Sequence, residues 1–181
     1  MILSILIATM PKRKWKFNRL LNSLDSQLPM NGSVEILWND SMEYNIGIKR
    51  QELLERALGE YIVYCDDDDR VSDDYVKKIL EATKTSPDCI GISGIITTNG
   101  LKPKQWHISK DFGSWFEKNE IYYRTPNHIS PVKREIALKA GFPAIKTSED
   151  AEYSKRILPM LKTEEIVQGN IYFYLYRNKN K

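Results

Sequence analysis

The sequence predicts an α/β fold, a mostly parallel sheet with helices on both faces. Three observations predict it. Apolar, β-rich runs alternate with segments whose apolar residues recur at helical spacing. The first run, residues 2–8, is apolar almost throughout, as a strand covered on both faces should be. The third run, Tyr61 to Cys65, ends in four consecutive aspartates, Asp66 to Asp69, at the strand end where open α/β sheets bind ligands.

The elements follow in order. Thr9-Met10-Pro11 ends the first strand, and Phe17, Leu20, Leu21 and Leu24 mark a helix that Pro29 and Gly32 break. A second strand over residues 34–38 ends at Asn39 and Asp40. A helix over 46–58 has Gly59 as its C-terminal stop. After the third strand, Ser72 is placed to cap a helix with Asp73 and Asp74 in its first turn and Tyr75, Val76, Ile79 and Leu80 as its apolar stripe. A fourth strand over 89–96 is interrupted by Gly91 and Gly94.

Residues 97–130 lack clean periodicity and read as a long functional loop region with a short helix or strand. Regular structure then returns. Ser130 as cap, Pro131 at the first helical position and Gly141 at the stop punctuate a helix over 132–140. Thr147-Ser148-Glu149-Asp150 opens another helix running to about Leu158 and stopped near Pro159. Ile171, Phe173 and Leu175 alternate with three tyrosines, the pattern of a half-buried strand.

Composition narrows the class. A chain of 181 residues with 41% hydrophobic and 28% charged residues suits one compact globular domain. We divide it into two halves, 1–97 and 98–181. A formal charge of +3, with no dense basic stripe, gives no reason to expect nucleic acid. Cys65 and Cys89 lie in apolar runs without zinc spacing, and the apolar N-terminus lacks a basic leader and is too short to span a bilayer. We therefore expect a cytoplasmic protein, with peripheral attachment to a membrane left open. Lys12, Arg13, Lys14 and Lys16 form a small basic cluster that reads as a solvated loop.

The aspartate run carries the most chemistry. Adjacent carboxylates repel one another, so four together at a strand end suit a hard divalent cation, Mn²⁺ or Mg²⁺, that holds a phosphorylated substrate. An acidic turn is the plainer reading. Lys49 and Arg50, just after Gly47 at a helix start, suit a base, ribose or phosphate as well as a solvated helix face.

The ordered set resembles a family 2 glycosyltransferase of the GT-A fold, trimmed to its catalytic core. The resemblance rests on the opening strand and helix, Val34-Glu35-Ile36-Leu37-Trp38-Asn39-Asp40, Gly47-Ile48-Lys49-Arg50, the aspartate run, Lys133-Arg134-Glu135, Gly141-Phe142-Pro143, and Glu149-Asp150 with Lys155-Arg156-Ile157. It implies a metal-dependent, inverting transfer of sugar from a nucleoside-diphosphate sugar, a UDP-sugar first, to a hydroxyl of a glycan, a lipid-linked sugar or a protein. It assigns Asp150 as general base and Glu149 as the residue that steers the acceptor. It places Thr9, Asp40, Lys49, Arg50, Asp66 and Asp67 at the nucleotide sugar, and Asp68 on the metal with Asp66 or Asp69. The run of four leaves that register open by one residue. His128 is a further metal ligand by the same resemblance, or a structural histidine. Acids at a helix start are also stabilised by the helix dipole, which opposes a raised pKa on Asp150.

Trp106, Trp115 and Phe116 suit an aromatic platform for a sugar or plain core packing. His107 has no assigned role. The chain is short for the family and no membrane helix follows the core, which argues against bilayer-embedded polysaccharide synthesis. Two other classes stay in view. A nucleotidyltransferase or other metal-dependent phosphoryl enzyme would have a Gly-rich loop after strand one, which Thr9-Met10-Pro11-Lys12-Arg13-Lys14 lacks. A non-catalytic nucleotide-sugar-binding module would not need both the aspartate run and Glu149-Asp150.

Overall fold

The computed structural model describes residues 1–177. Ten strands form one sheet. β1 (Leu3–Ala8) lies between β2 (Val34–Asn39) and β3 (Tyr61–Tyr64), parallel to both. The two-residue β9 (Val132–Lys133) runs antiparallel between β3 and β5 (Cys89–Thr98), and β10 (Glu164–Tyr176) lies parallel on the other edge of β5. β2, β1, β3, β5 and β10 thus all point the same way, and the mostly parallel sheet is as expected. β10 also takes the short β4 (Arg70–Val71) antiparallel.

Alternation along the strands fills two cores. Leu3, Ile5 and Ile7 of β1 join Tyr61 and Val63 of β3 under α1 (Lys14–Asp25) and α3 (Tyr75–Thr83), contributing Phe17, Leu20, Leu24, Val76 and Ile79. Leu6, Ile62 and Tyr64 point the other way, toward Leu53, Leu54, Ile136, Ala137, Tyr153 and Ile157 of α2 (Ile46–Arg56), α4 (Arg134–Ala140) and α5 (Glu149–Ile157). Apolar burial on both faces explains why the runs read as continuous rather than alternating.

Several local expectations give way to tertiary partners. Gly59 does not end α2 in a left-handed turn. The helix stops at Arg56, and Gly59 is needed because a Cβ there would lie 2.5 Å from the Ser4 amide nitrogen. Ser72 does not cap α3; its hydroxyl donates to Asp74, and the first-turn amide of Val76 donates to Gln27 Oε1 at 3.1 Å, a cap supplied by the end of α1. Ser130 and Pro131 do not open a helix either. The Pro131 carbonyl accepts from Ile90, Val132 and Lys133 pair as β9, and α4 starts at Arg134, while Gly141 ends it at φ +60° as expected.

The segment expected as a loop holds three strands: β6 (Leu101–Ile108) antiparallel on β5, β8 (Ile121–Arg124) parallel on β6, and β7 (Phe116–Lys118) at the rim. Mixed exposure along them hid the period of two. β10 is longer than the alternation suggested. Register shifts between Ile166 and Tyr172 break the alternation, so Tyr172 is wholly buried where solvent was expected.

Candidate active site

The acid loop follows β3 and alternates. The side chains of Asp66 and Asp68 are 28% and 21% exposed, whereas Asp67 and Asp69 are turned inward at 1%. Each inward carboxylate has its own anchor. Asp67 accepts from the Thr9 hydroxyl at 2.6 Å and lies 3.1 Å from Arg13. Asp69 accepts from the Tyr172 hydroxyl and the Leu175 amide, both at 2.8 Å. Both oxygens of Asp69 are thus committed inside the protein, where they pin β10 to the loop. That placement differs from the expected one beside a metal.

Burial pushes the Asp69 carboxyl well above the usual range, with the charge of Asp66 adding to the rise, and burial likewise raises Asp67. A carboxyl with a raised folded pKa holds its proton more tightly folded than unfolded. Its contribution to stability therefore falls as pH rises past the ordinary carboxylate pKa of ~4. Asp69→Asn cannot ionise and should lose that slope. In urea titrations from pH 4 to 8, the variant's midpoint should gain on the parent as pH rises, whatever fixed offset the altered hydrogen bonds introduce.

Three cations on one helical face brace the loop from below. Arg13 and Lys16 both pair with Asp68 Oδ2, and Arg19 donates to the Asp68 and Asp69 carbonyls at 2.9 Å. The basic cluster is therefore split. Arg13 and Lys16 belong to the acid loop, and only Lys12 and Lys14 are exposed.

α2 carries the link to the second pair of acids. Asn45 caps it by accepting from the Ile48 amide at 3.0 Å. Gly47 lets its first turn press against the 143–145 segment, where a Cβ would fall on the Pro143 carbonyl. Lys49 and Arg50 are both buried, so neither is a solvated face. Lys49 donates to the Thr9 carbonyl at 2.6 Å. Arg50 bridges Glu149 at 2.6 Å and Asp66 at 3.0 Å, and its guanidinium lies within 6 Å of the Tyr64 and Phe142 rings.

α5 begins at Glu149, after Ser148 in the left-handed region at φ +62°. Glu149 is buried against Arg50. Asp150 is 34% exposed; one oxygen accepts from the Ala151 amide at 2.8 Å and the other lies 3.9 Å from His128 Nδ1. His128 Nε2 is 3.2 Å from Asp66 Oδ2. Burial opposes the charge of Asp66, but His128 and Arg50 outweigh it and hold the carboxyl below the usual range. The two acid groups expected to act together are thus joined through Arg50 and His128.

They open into a cavity of about 340 Å³ whose walls include Asp66, Asp150, Trp106, Trp115 and Tyr174. A second cavity of about 470 Å³, lined by Thr9, Met10, Arg13, Tyr44 and Lys49, lies on the other side of the loop. Trp106 and Trp115 share the first cavity, whereas Phe116 stacks on Tyr123 with ring centroids 4.7 Å apart. Asp40 is exposed and lines neither cavity; its neighbour Asn39 makes the turn bond, to Ser41 at 2.9 Å. His107 bonds Ser93 on the sheet at 2.6 Å.

The donor set fits a hard cation in kind. Asp66 and Asp68 are part-exposed carboxylates two residues apart, a type Mg²⁺ commonly takes with substrate phosphates and water, and an ion would replace part of their present pairing with Arg50, His128, Arg13 and Lys16. Among the described residues no group of three or more His, Cys, Asp or Glu is gathered to hold an ion unaided. Those residues also include no helix long and apolar enough to cross a membrane.

The arrangement has relatives. A family model of glycosyl transferase family 2 matches residues 19–139, two thirds of the chain. The chain belongs to that family. The family match covers the second half of α1, the acid loop, His128 and most of α4, and stops before Glu149-Asp150. The succinoglycan biosynthesis protein ExoM of Rhizobium meliloti (strain 1021) is 27% identical over 95 residues, 52% of this chain and 29% of that protein. The 1–349 fragment of S. aureus TarS in complex with UDP superposes with a TM-score of 0.76 at 17% identity, over 97% of this chain and 60% of the fragment. The same fragment with UDP-GlcNAc gives 0.75 at 16% identity, over 99% and 60%. This family 2 chain therefore shares the GT-A-type fold of TarS, and it spans 60% of the TarS fragment and 29% of ExoM.

Sequence reasoning missed Arg19, Tyr172 and Arg124 as parts of this region. The spacing of Arg13, Lys16 and Arg19, three residues apart on a helical face, was available as a signal. Tyr172 and Arg124 had none, because long-range strand pairing places them.

Proposed function

We propose that this chain transfers a sugar from a nucleoside-diphosphate sugar, a UDP-sugar first, to an acceptor hydroxyl, with inversion at the anomeric carbon. The observation that carries the reading is the junction of the outward Asp66 with Glu149 and Asp150 around one cavity, through Arg50 and His128. The UDP and UDP-GlcNAc complexes of TarS support the choice of donor.

The nucleoside end occupies the cavity beside Thr9, Met10 and Lys49, with the sugar toward Asp150. Asp66 and Asp68 would hold Mn²⁺ or Mg²⁺, which when bound offsets the charge of the departing diphosphate. Arg13 and Lys16, already beside Asp68, supply further positive charge at that end. Arg50 fixes Asp66 and Glu149 so that neither drifts as substrate enters. Asp150 takes the proton of the attacking hydroxyl, while the apolar walls of Ile96, Ile108 and Ile129 exclude water.

A panel of UDP-, GDP- and dTDP-sugars with Mn²⁺ tests the reading. Nucleoside diphosphate should be released and the sugar transferred or slowly hydrolysed, and Asp68→Asn should weaken nucleotide binding. Release of pyrophosphate or of a sugar phosphate would point instead to a phosphoryl enzyme. Donor binding without turnover on any acceptor would point to a binding module.

A further inference from the structure

Of the two arginines that line the chamber beside Asp150, only Arg50 has a carboxylate within 4 Å among the described residues. Arg124 closes β8, opposite Ile108 of β6. Its guanidinium lies 4.4 Å from the Trp115 ring centroid and 5.4 Å from that of Tyr122. Among the described residues no carboxylate lies within 4 Å of it, and its side chain donates no hydrogen bond. Burial lowers its pKa, with Tyr122, Tyr174 and Asp150 opposing. A half-buried guanidinium loses part of its hydration, and no oxygen of the described residues replaces it.

The geometry suggests what does replace it. The Trp115 and Tyr122 rings hold the guanidinium by cation–π contact and supply no oxygen acceptor beyond the Tyr122 hydroxyl, so its N–H donors remain for a planar or tetrahedral oxyanion. The chamber also needs such a cation before any anion can enter. Asp66, Glu149 and Asp150 all line it, and Arg50 and His128 are already engaged by those acids. An anionic ligand near Asp150 would otherwise meet only repulsion.

We propose that Arg124 is a specificity-determining residue that receives a carboxylate or phosphate group carried by the substrate in the Asp150 chamber. The substrate class is thus an acidic sugar, with its charge either on the transferred sugar or on the acceptor. The inference rests on reading this chamber as the sugar and acceptor site.

The test compares wild type, Arg124→Gln and Arg124→Lys by calorimetry with UDP, UDP-glucose and UDP-glucuronate, and by tryptophan fluorescence with millimolar glucose, glucuronate and glucose 6-phosphate. Fluorescence titrations are run with and without UDP and Mn²⁺. A charge-assisted hydrogen-bonded pair is worth ~1.5–3 kcal/mol, so Arg124→Gln should weaken the anionic ligand ~10- to 100-fold, with Lys recovering part of the loss. A selective loss for UDP-glucuronate, with UDP and UDP-glucose unchanged, places the charge on the donor sugar. A selective loss for the free acidic sugars, with all three nucleotides unchanged, places it on the acceptor. Equal binding of acidic and neutral ligands by wild type and Arg124→Gln overturns the inference. So does a matching loss for UDP itself, which would assign Arg124 to the diphosphate. Should UDP fail to bind wild type, the nucleotide-sugar reading falls, and the titrations without nucleotide still decide the role of Arg124. Unchanged melting temperatures in the variants show that folding is not the cause.

Discussion

Asp150→Asn should cut transfer by ~10²- to 10⁴-fold, the usual range for removing a general base, and leave donor binding within about twofold. The structure makes this a clean substitution. Asp150 makes one hydrogen bond, accepted from the Ala151 amide, and an asparagine carbonyl can accept the same bond. The start of α5 is then kept, as is the Arg50 link to Glu149 and Asp66 on the other side. The losses are the capacity to take a proton and the negative charge beside His128. Single-turnover rates and calorimetric donor affinity on the same preparation separate the two effects. Loss of donor affinity in step with the rate would contradict the base role, as would an unchanged rate.

Arg50→Met should destabilise the fold by ~3–5 kcal/mol, the cost of leaving a buried charge unpaired. Arg50 has 5% of its side chain exposed and serves two carboxylates, of which Glu149 is 8% exposed. With the cation gone, Glu149 must either hold its charge in apolar surroundings or take up a proton. A loss near 3 kcal/mol corresponds to a fall of ~6–12 °C in melting temperature for a chain of this size. The double variant Arg50→Met, Glu149→Gln should be more stable than Arg50→Met alone, because it removes the buried charge left unpaired, whereas Asp66 keeps His128. Arg50→Lys should recover little, since one ammonium cannot bridge both acids. Thermal and urea unfolding of these proteins together with Glu149→Gln measures the coupling directly. A loss below 1 kcal/mol would mean that the bridge is dispensable.

What was legible in the sequence was what local pattern decides. β1, β2, α2 and β3 were placed within a residue or two because unbroken apolar runs and a strong helical period leave little choice. The acid run at the end of β3 and the Glu149-Asp150 helix start stood out for the same reason: costly charge sits where a sheet presents its ligand edge. Features decided by distant partners were not legible. Ser72 and Ser130 look like caps, yet Gln27 caps α3, and the pairing of Pro131 to Lys133 with β3 and β5 replaces the expected first turn of α4. Four aspartates in a row look equivalent in the sequence. The Thr9 hydroxyl, Tyr172 hydroxyl and Leu175 amide turn two of them inward. The chamber beside Asp150 was hidden most thoroughly, because β6 and β8 bring Trp106, Tyr122 and Arg124 to it from a segment without visible period.

The central claim is that the acid loop holds a nucleoside diphosphate with its sugar directed at Asp150. Crystals grown with Mn²⁺ and UDP, GDP or dTDP test it most directly. The account predicts a nucleotide whose base lies beside Thr9 and Lys49 and whose phosphates reach an ion on Asp66 and Asp68. A nucleotide bound away from that loop, or none at saturating concentrations of all three, would contradict it.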